Sequence, residues 1–166
     1  YREFLRSKVA FPPKADNRFT IAVHIRRGRS YDSPCTAKMQ HGYLRYLPNS
    51  HYQRLIDVAM RPGARVVIYS HAPSVEDFDD FRKRGYEVHI DEDVGEAWKT
   101  MVSSDVLIMS RSMFTLIPAL VHKGRVLYTP FWEKPIDSWD VASNELLKAT
   151  NEELDELKGQ LGCGTE

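Results

Sequence analysis

FTIAVHIRRGR (residues 19–29) runs from a β-rich apolar stretch straight into His24, Arg26, Arg27 and Gly28. A strand that ends in a histidine and two arginines delivers positive charge to one edge of a sheet, and Gly28 lets the chain turn away at once. Arginine suits a diphosphate because its guanidinium stays charged and offers a planar fork of donors to two oxygens. Successive side chains of a strand point to opposite faces, so His24 and Arg26 share a face and Arg27 takes the other. The pattern predicts Arg26 as the phosphate ligand and Arg27 as its support. The competing reading is a pair of exposed arginines at a strand end, matched by Asp32 or Glu133.

The rest of the chain supplies the setting. Its 166 residues, 42% of them hydrophobic, suffice for a single domain, 1–166, with a buried core. Lysine plus arginine equals aspartate plus glutamate at 23 each, so nothing indicates a nucleic-acid surface, and any phosphate recognition has to be local. Apolar, β-rich runs occur at residues 19–25, 65–70, 86–90, 105–109 and 125–128. Helical patterns separate them. Residues 50–60 close on Pro62-Gly63, residues 74–84 open with Ser74 as cap and Asp77 three residues on, residues 94–103 set Trp98, Met101 and Val102 on one side, and residues 113–122 hold Pro118, which predicts a kink. This alternation of nearly continuous apolar strands with helices predicts a Rossmann-like α/β sandwich with a mainly parallel sheet of about five strands. Ligands in such sheets bind at the carboxyl ends of the strands, where His24, Arg26 and Arg27 end the first and residues 110–115 follow the fourth.

Outside that frame the expectations are simpler. The C-terminal segment 140–166, with NELLKATNEELDELKG, predicts a helix that ends the domain. Tyr1 in place of methionine, in YREFLRSKVAF that reads as a helix already under way, points to an excised part of a longer chain. No stretch approaches the ~18 apolar residues of a membrane span. No signal peptide is recognisable either, so the expectation is a soluble domain, cytoplasmic or of undefined compartment. Cys35 and Cys163 show no ligand spacing and read as free thiols, which favours a reducing compartment.

VHIRRG resembles the peptide motif shared by the α-1,2-, α-1,6- and protein O-fucosyltransferases, which use GDP-fucose. MVSSDVLIMSRSMFTLIPALVHKGRVLYTPFW (residues 101–132) is similar to that superfamily's second donor-side signature. In it an aspartate, here Asp105, opens an apolar strand; a Ser-rich turn with Ser110 and Ser112 follows; a helix then starts at Met113, Phe114 and Thr115. The resemblance covers most of residues 19–135. It implies the C-terminal, nucleotide-binding half of a GT-B-like enzyme that transfers fucose from GDP-fucose to a glycan or protein acceptor, inverting and independent of metal, with no cofactor besides the donor. By the same resemblance Arg26 binds the β-phosphate and stabilises the departing GDP, and His24 contacts the nucleoside or ribose side. Residues 112–115 donate hydrogen bonds to phosphate at a helix start, which is an anion site in its own right. Ser112 as a plain helix cap is compatible with that role.

Several residues depart from the pattern or compete with it. Family members often continue HxRRG with aspartate, where this chain has Arg29. Asp32 is the local carboxylate left to accept the proton of an acceptor hydroxyl, and its competing role is an ion pair with Arg27 or Arg29. Residues 29–48 form a long polar loop in which Arg45 either closes on the donor or stays an exposed arginine. Asp91-Glu92-Asp93 matches a DxD metal clamp, but a solvated helix start before Val94 is preferred, and an arginine-based site leaves no need for a metal. By the resemblance, in which an acidic group near this position contacts the guanine base, Glu96 or Asp91 is its alternative partner. The histidines show no HxxH or HxH spacing, and no zinc site follows. Phe131, Trp132 and Trp139 are expected to seal the sheet edge as satellite core rather than to form an acceptor platform. Two other classes of function stay open. One is a nucleotide-binding module without catalysis, prompted by Arg29 and by the missing partner half. The other is a metal-dependent sugar transferase using Asp91 and Asp93.

Overall fold

The computed structural model describes residues 2–8, 13–14, 16–28, 32–36, 45–71, 78–131 and 134–163. Its strands are β1 (Thr20–His24), β2 (Arg65–Ser70), β3 (Glu87–Ile90), β4 (Val106–Ile108), β5 (Arg125–Tyr128) and β6 (Asp140–Val141). They form one sheet in the order β3-β2-β1-β4-β5-β6, with every pairing parallel. The helices are α1 (Arg2–Lys8), α2 (Asn49–Ala59), α3 (Asp79–Lys83), α4 (Val94–Ser103), α5 (Met113–Val121) and α6 (Asn144–Gln160).

The period of two along each strand sorts the core into two layers. Ile21, Val23, Val66, Ile68, Val106 and Ile108 face one side and pack with Tyr52, Leu55 and Ile56 of α2 and Phe81 of α3. Ala22, Val67, Tyr69, Leu107 and Val126 face the other, against Ala97 and Met101 of α4 and Ala119 of α5. Both faces are covered, which is why the strand runs read as unbroken apolar segments. The fold is the Rossmann-like α/β sandwich expected from the alternation. Phe131 and Trp139 are buried within the second layer itself, next to Tyr128, rather than in a separate cluster. α6 leans on the α2 side, where Thr150 bonds His51 and Glu153 meets Ser50 and Arg54.

Two expectations change. A sixth strand, β6, extends the sheet beyond β5; it is two residues long and exposed, too short for any periodicity to reveal. Cys35 and Cys163 are not free thiols but a disulfide, with Cα atoms 5.2 Å apart across a sequence separation of 128. The pairing arises because the end of α6 returns to the loop after β1, and it removes the argument for a reducing compartment. Helix α3 starts at Asp79, and its anticipated cap Ser74, with Asp77, lies outside the described residues, as do Arg29, Trp132 and Glu133. Among the described residues no helix is long and apolar enough to cross a membrane.

Candidate functional site

After β1 the chain moves to β2 on one side, and after β4 it moves to β5 on the other. The crevice between the carboxyl ends of β1 and β4 is therefore the switch point at which such sheets take ligands. A cavity of about 360 Å³ opens there, in the size range of small-ligand sites. Its wall includes His24, Arg26 and Arg27 after β1, Ser112 and Phe114 at the start of α5, and Asp32 from the loop after Gly28.

Arg26 is the hub. Its Nε donates to Asp32 Oδ1 at 2.7 Å and its Nη1 to Ser112 Oγ at 3.1 Å, so the first strand, its loop and the α5 start are tied together through one guanidinium. Its side chain is 16% exposed and that of Asp32 only 1%. Asp32 Oδ2 is buried and has no hydrogen-bond partner among the described residues. Arg27 goes the other way, as strand alternation requires. Its Nη2 donates to Leu47 O and Asn49 Oδ1, and its guanidinium lies 4.2 Å from the centre of the Tyr46 ring. Asp32 is thus an ion-pair partner of Arg26, and Arg29, the other arginine weighed for it, lies outside the described residues. Arg45 lies over the ring of Phe131, at 5.7 Å, and is not part of the cavity wall.

His24 is 9% exposed, stacked on Phe114 with ring centroids 4.8 Å apart, and its Nδ1 is 2.5 Å from Ser110 Oγ. Burial pushes its imidazole down to about 3, with the Arg26 and Arg27 charges acting in the same direction, so the ring is neutral near neutral pH. Ser112 caps α5, accepting from Phe114 N at 3.2 Å. The amide-bearing end of that helix therefore borders the same cavity as Arg26, two independent sources of positive potential.

Other residues singled out in the sequence fall outside the cavity wall. Ser110 and Thr115 are buried beneath it, with Thr115 Oγ1 bonded to the Ser110 and Ser112 carbonyls. Met113 is half exposed on the outer side of α5. Gly28 supplies backbone, with φ +99. Glu96 points to solvent and pairs with Lys99, because the Asp93 cap fixes the phase of α4 and turns that position outward. Asp105 lies at the opposite end of β4, where it accepts from Thr20 N at 2.8 Å and pairs with Lys14 at 2.5 Å. Partial burial raises its carboxyl, yet the Lys14 ammonium and the Thr20 N–H hold it below the usual value. It stitches β1 to β4 and has no place at the carboxyl end.

The DxD acids are engaged separately. Asp93 Oδ1 caps α4 through Gly95 N and Glu96 N, while Asp91 pairs with His71. Among the described residues no group of three or more metal-ligating side chains is assembled. Sequence reasoning assigns Ser70 and His71 no role in the site and Glu92 none beyond the DxD pattern, yet all three line the cavity. His71 directly follows the apolar run of β2, as Arg26 follows that of β1, and that parallel was the available signal.

No family model and no curated protein matches the chain. Among solved structures it is similar to E. coli heptosyltransferase WaaC with ADP-2-deoxy-2-fluoro heptose, with a TM-score of 0.51 and 14% identity over 89% of this chain and 45% of that one. The likeness is one of fold, that of one half of a GT-B glycosyltransferase, and the chain spans just under half the length of the structure it matches.

Proposed function

We propose that this chain is the donor-binding domain of a glycosyltransferase, with GDP-fucose as the nucleotide sugar and a glycan or protein hydroxyl as acceptor. The observation that carries the reading is the cavity at the β1/β4 switch point in which Arg26 and the N-terminus of α5 converge through Ser112. A bound diphosphate there meets a charged planar donor and the positive end of the α5 dipole together. When the bond between the sugar's anomeric carbon and the diphosphate breaks, the electron pair leaves on a phosphate oxygen, and Arg26 lowers the cost of that charge. Asp32 holds the guanidinium in place. His24, neutral and stacked on Phe114, gives the cavity an apolar, hydrogen-bonding flank suited to a nucleoside. The fold likeness to a heptosyltransferase with a nucleotide-sugar analogue supports the class of donor. The choice of guanine and fucose rests on the resemblance of VHIRRG and of residues 101–132 to the fucosyltransferases.

Calorimetric titration of the chain with GDP-, UDP- and ADP-sugars tests this directly. GDP-fucose is expected to bind without divalent metal and Arg26→Ala to weaken it about 100-fold, since charge-assisted hydrogen bonds to phosphate are lost. Arg26→Lys keeps the charge that Asp32 needs but not the fork, and is expected to lose most of the same affinity. Absence of binding heat for the wild-type chain at millimolar GDP overturns the reading.

A further inference from the structure

The lip of the cavity carries a second arrangement that phosphate binding does not use. β2 and β3 run side by side, Ser70 opposite Ile90, and the next residues on each are His71 and Asp91. Asp91 Oδ1 lies 2.5 Å from His71 Nδ1. Two backbone departures serve this pair. Asp91 has φ +57, the one non-glycine residue in the left-handed region among the described residues. Gly28 has φ +99, and a Cβ there would fall 2.5 Å from His71 Cδ2, so the imidazole edge rests on bare backbone directly after the two arginines. Strain held by an aspartate beside a cavity is better explained by function than by folding, since neither His71 nor Asp91 belongs to the core.

We infer that His71, oriented by Asp91, is the base that takes the proton of the acceptor hydroxyl; this rests on the transferase reading above. With Nδ1–H donated to the carboxylate, the lone pair of the ring is on Nε2, the atom a general base needs. His71 is 64% exposed in its side chain, at the mouth through which an acceptor enters. Asp32, the carboxylate that the sequence put forward for this task, has one oxygen on Arg26 and the other buried. In the step, the acceptor oxygen bonds to the anomeric carbon and its proton passes to His71 Nε2. The bond from that carbon to the diphosphate breaks, its electron pair leaving on the phosphate oxygen beside Arg26. The imidazolium then returns its proton to water.

The test follows GDP release from GDP-fucose by the 166-residue chain, with water or added ethylene glycol as acceptor, alongside GDP calorimetry. His71→Gln is expected to lower kcat about 100-fold or more, with KM and the calorimetric GDP affinity unchanged. The wild-type rate is expected to fall on the acid side and His71→Gln to lose that limb. The charged groups sharing the cavity with His71 are Asp91, Glu92, Asp32, Arg26 and Arg27; His24, neutral down to about pH 3, does not produce the limb. Asp91→Asn tolerates the left-handed backbone and is expected to lose about 10-fold, and added imidazole is expected to restore part of the rate to His71→Ala. A His71→Gln chain with wild-type kcat, or with GDP affinity lost in step with rate, overturns the inference while leaving the donor site standing. A wild-type chain that binds GDP but releases none from GDP-fucose also overturns it, whereas failure to bind GDP at all overturns the transferase reading itself.

Discussion

At the amino ends of the strands, Arg65 makes two hydrogen bonds to Glu87, Arg84 meets Asp57 at 2.8 Å and Arg18 meets Asp16 at 2.7 Å, all with at least one partner well exposed. At the carboxyl ends, Arg26 meets an Asp32 that is almost wholly buried, beside a neutral His24 and a helix start. Each end has a cavity, about 320 Å³ and about 360 Å³ respectively, and each cavity is lined by arginines. The amino-end cavity has the more arginines, four against two, and the volumes are close, so neither arginine count nor size marks the carboxyl end as a site. The difference is desolvation: ion pairs in water contribute little and are screened, whereas a dry, pre-oriented cation next to helix amides keeps its field for a ligand. This comparison sets the experiments, beginning with those that disturb the carboxyl end.

The largest stability effect is expected from the disulfide, which fastens the loop bearing Asp32 to the end of α6. In the chain-entropy account, opening a cross-link of that span costs about 5 kcal/mol. Cys35→Ser combined with Cys163→Ser is expected to lower the urea midpoint accordingly, and to weaken nucleotide binding because Asp32 no longer holds Arg26. An unchanged midpoint in reductant would separate the loop from the carboxyl-end architecture.

Next in size is acid sensitivity. His24 and His51 are both buried and neutral, with imidazoles pushed from 6.5 to about 3 by burial and nearby arginines. Between those values the unfolded chain binds protons that the folded chain refuses, so stability is intact above pH 6.5 and falls as pH drops toward 3. Each group contributes about 1.4 kcal/mol per pH unit in that window. Denaturant titrations at pH 7 and pH 5 check the slope, and His51→Gln is expected to flatten it by about half.

How far the sequence foretold these two ends differs for physical reasons. The strand ladder was legible because both faces of the sheet are covered, leaving unbroken runs such as VVI and VLI. His24 and Arg26 share the cavity wall because the period of two continues past the strand. Asp91 was weighed only as a metal ligand or a base contact, since its left-handed backbone is a tertiary result that residue type does not announce. The resemblance offers Glu96 as a guanine contact, but the Asp93 cap sets the helix phase and turns it outward. The disulfide joins a loop to a helix end through a path that only the packed α2 and α6 define.

At the amino ends, close approach rather than charge is the sensitive feature. A Cβ at Gly124 would lie 2.2 Å from the Asp105 carbonyl oxygen, which accepts the hydrogen bond of Arg125 N. Gly124→Ala is expected to cost about 1–3 kcal/mol as β4 and β5 shift apart, measured by thermal melting, with GDP affinity unchanged. Loss of nucleotide binding in this variant would mean that the two ends are mechanically coupled.

The smallest effect is expected from Arg65→Ala, and it is the sharpest counterpart to Arg26→Ala. Arg65 holds the Glu87 carboxyl below its usual range through paired hydrogen bonds, yet Glu87 is 40% exposed, so water screens much of the attraction. The substitution is expected to cost no more than about 1 kcal/mol, to cost less still in high salt, and to leave nucleotide titrations untouched. Both residues are arginines at strand ends with a carboxylate within hydrogen-bond reach. If removing Arg65 weakens nucleotide binding as much as removing Arg26, then positive charge anywhere on the domain suffices, and burial of the Arg26–Asp32 pair is not what makes the carboxyl end a site.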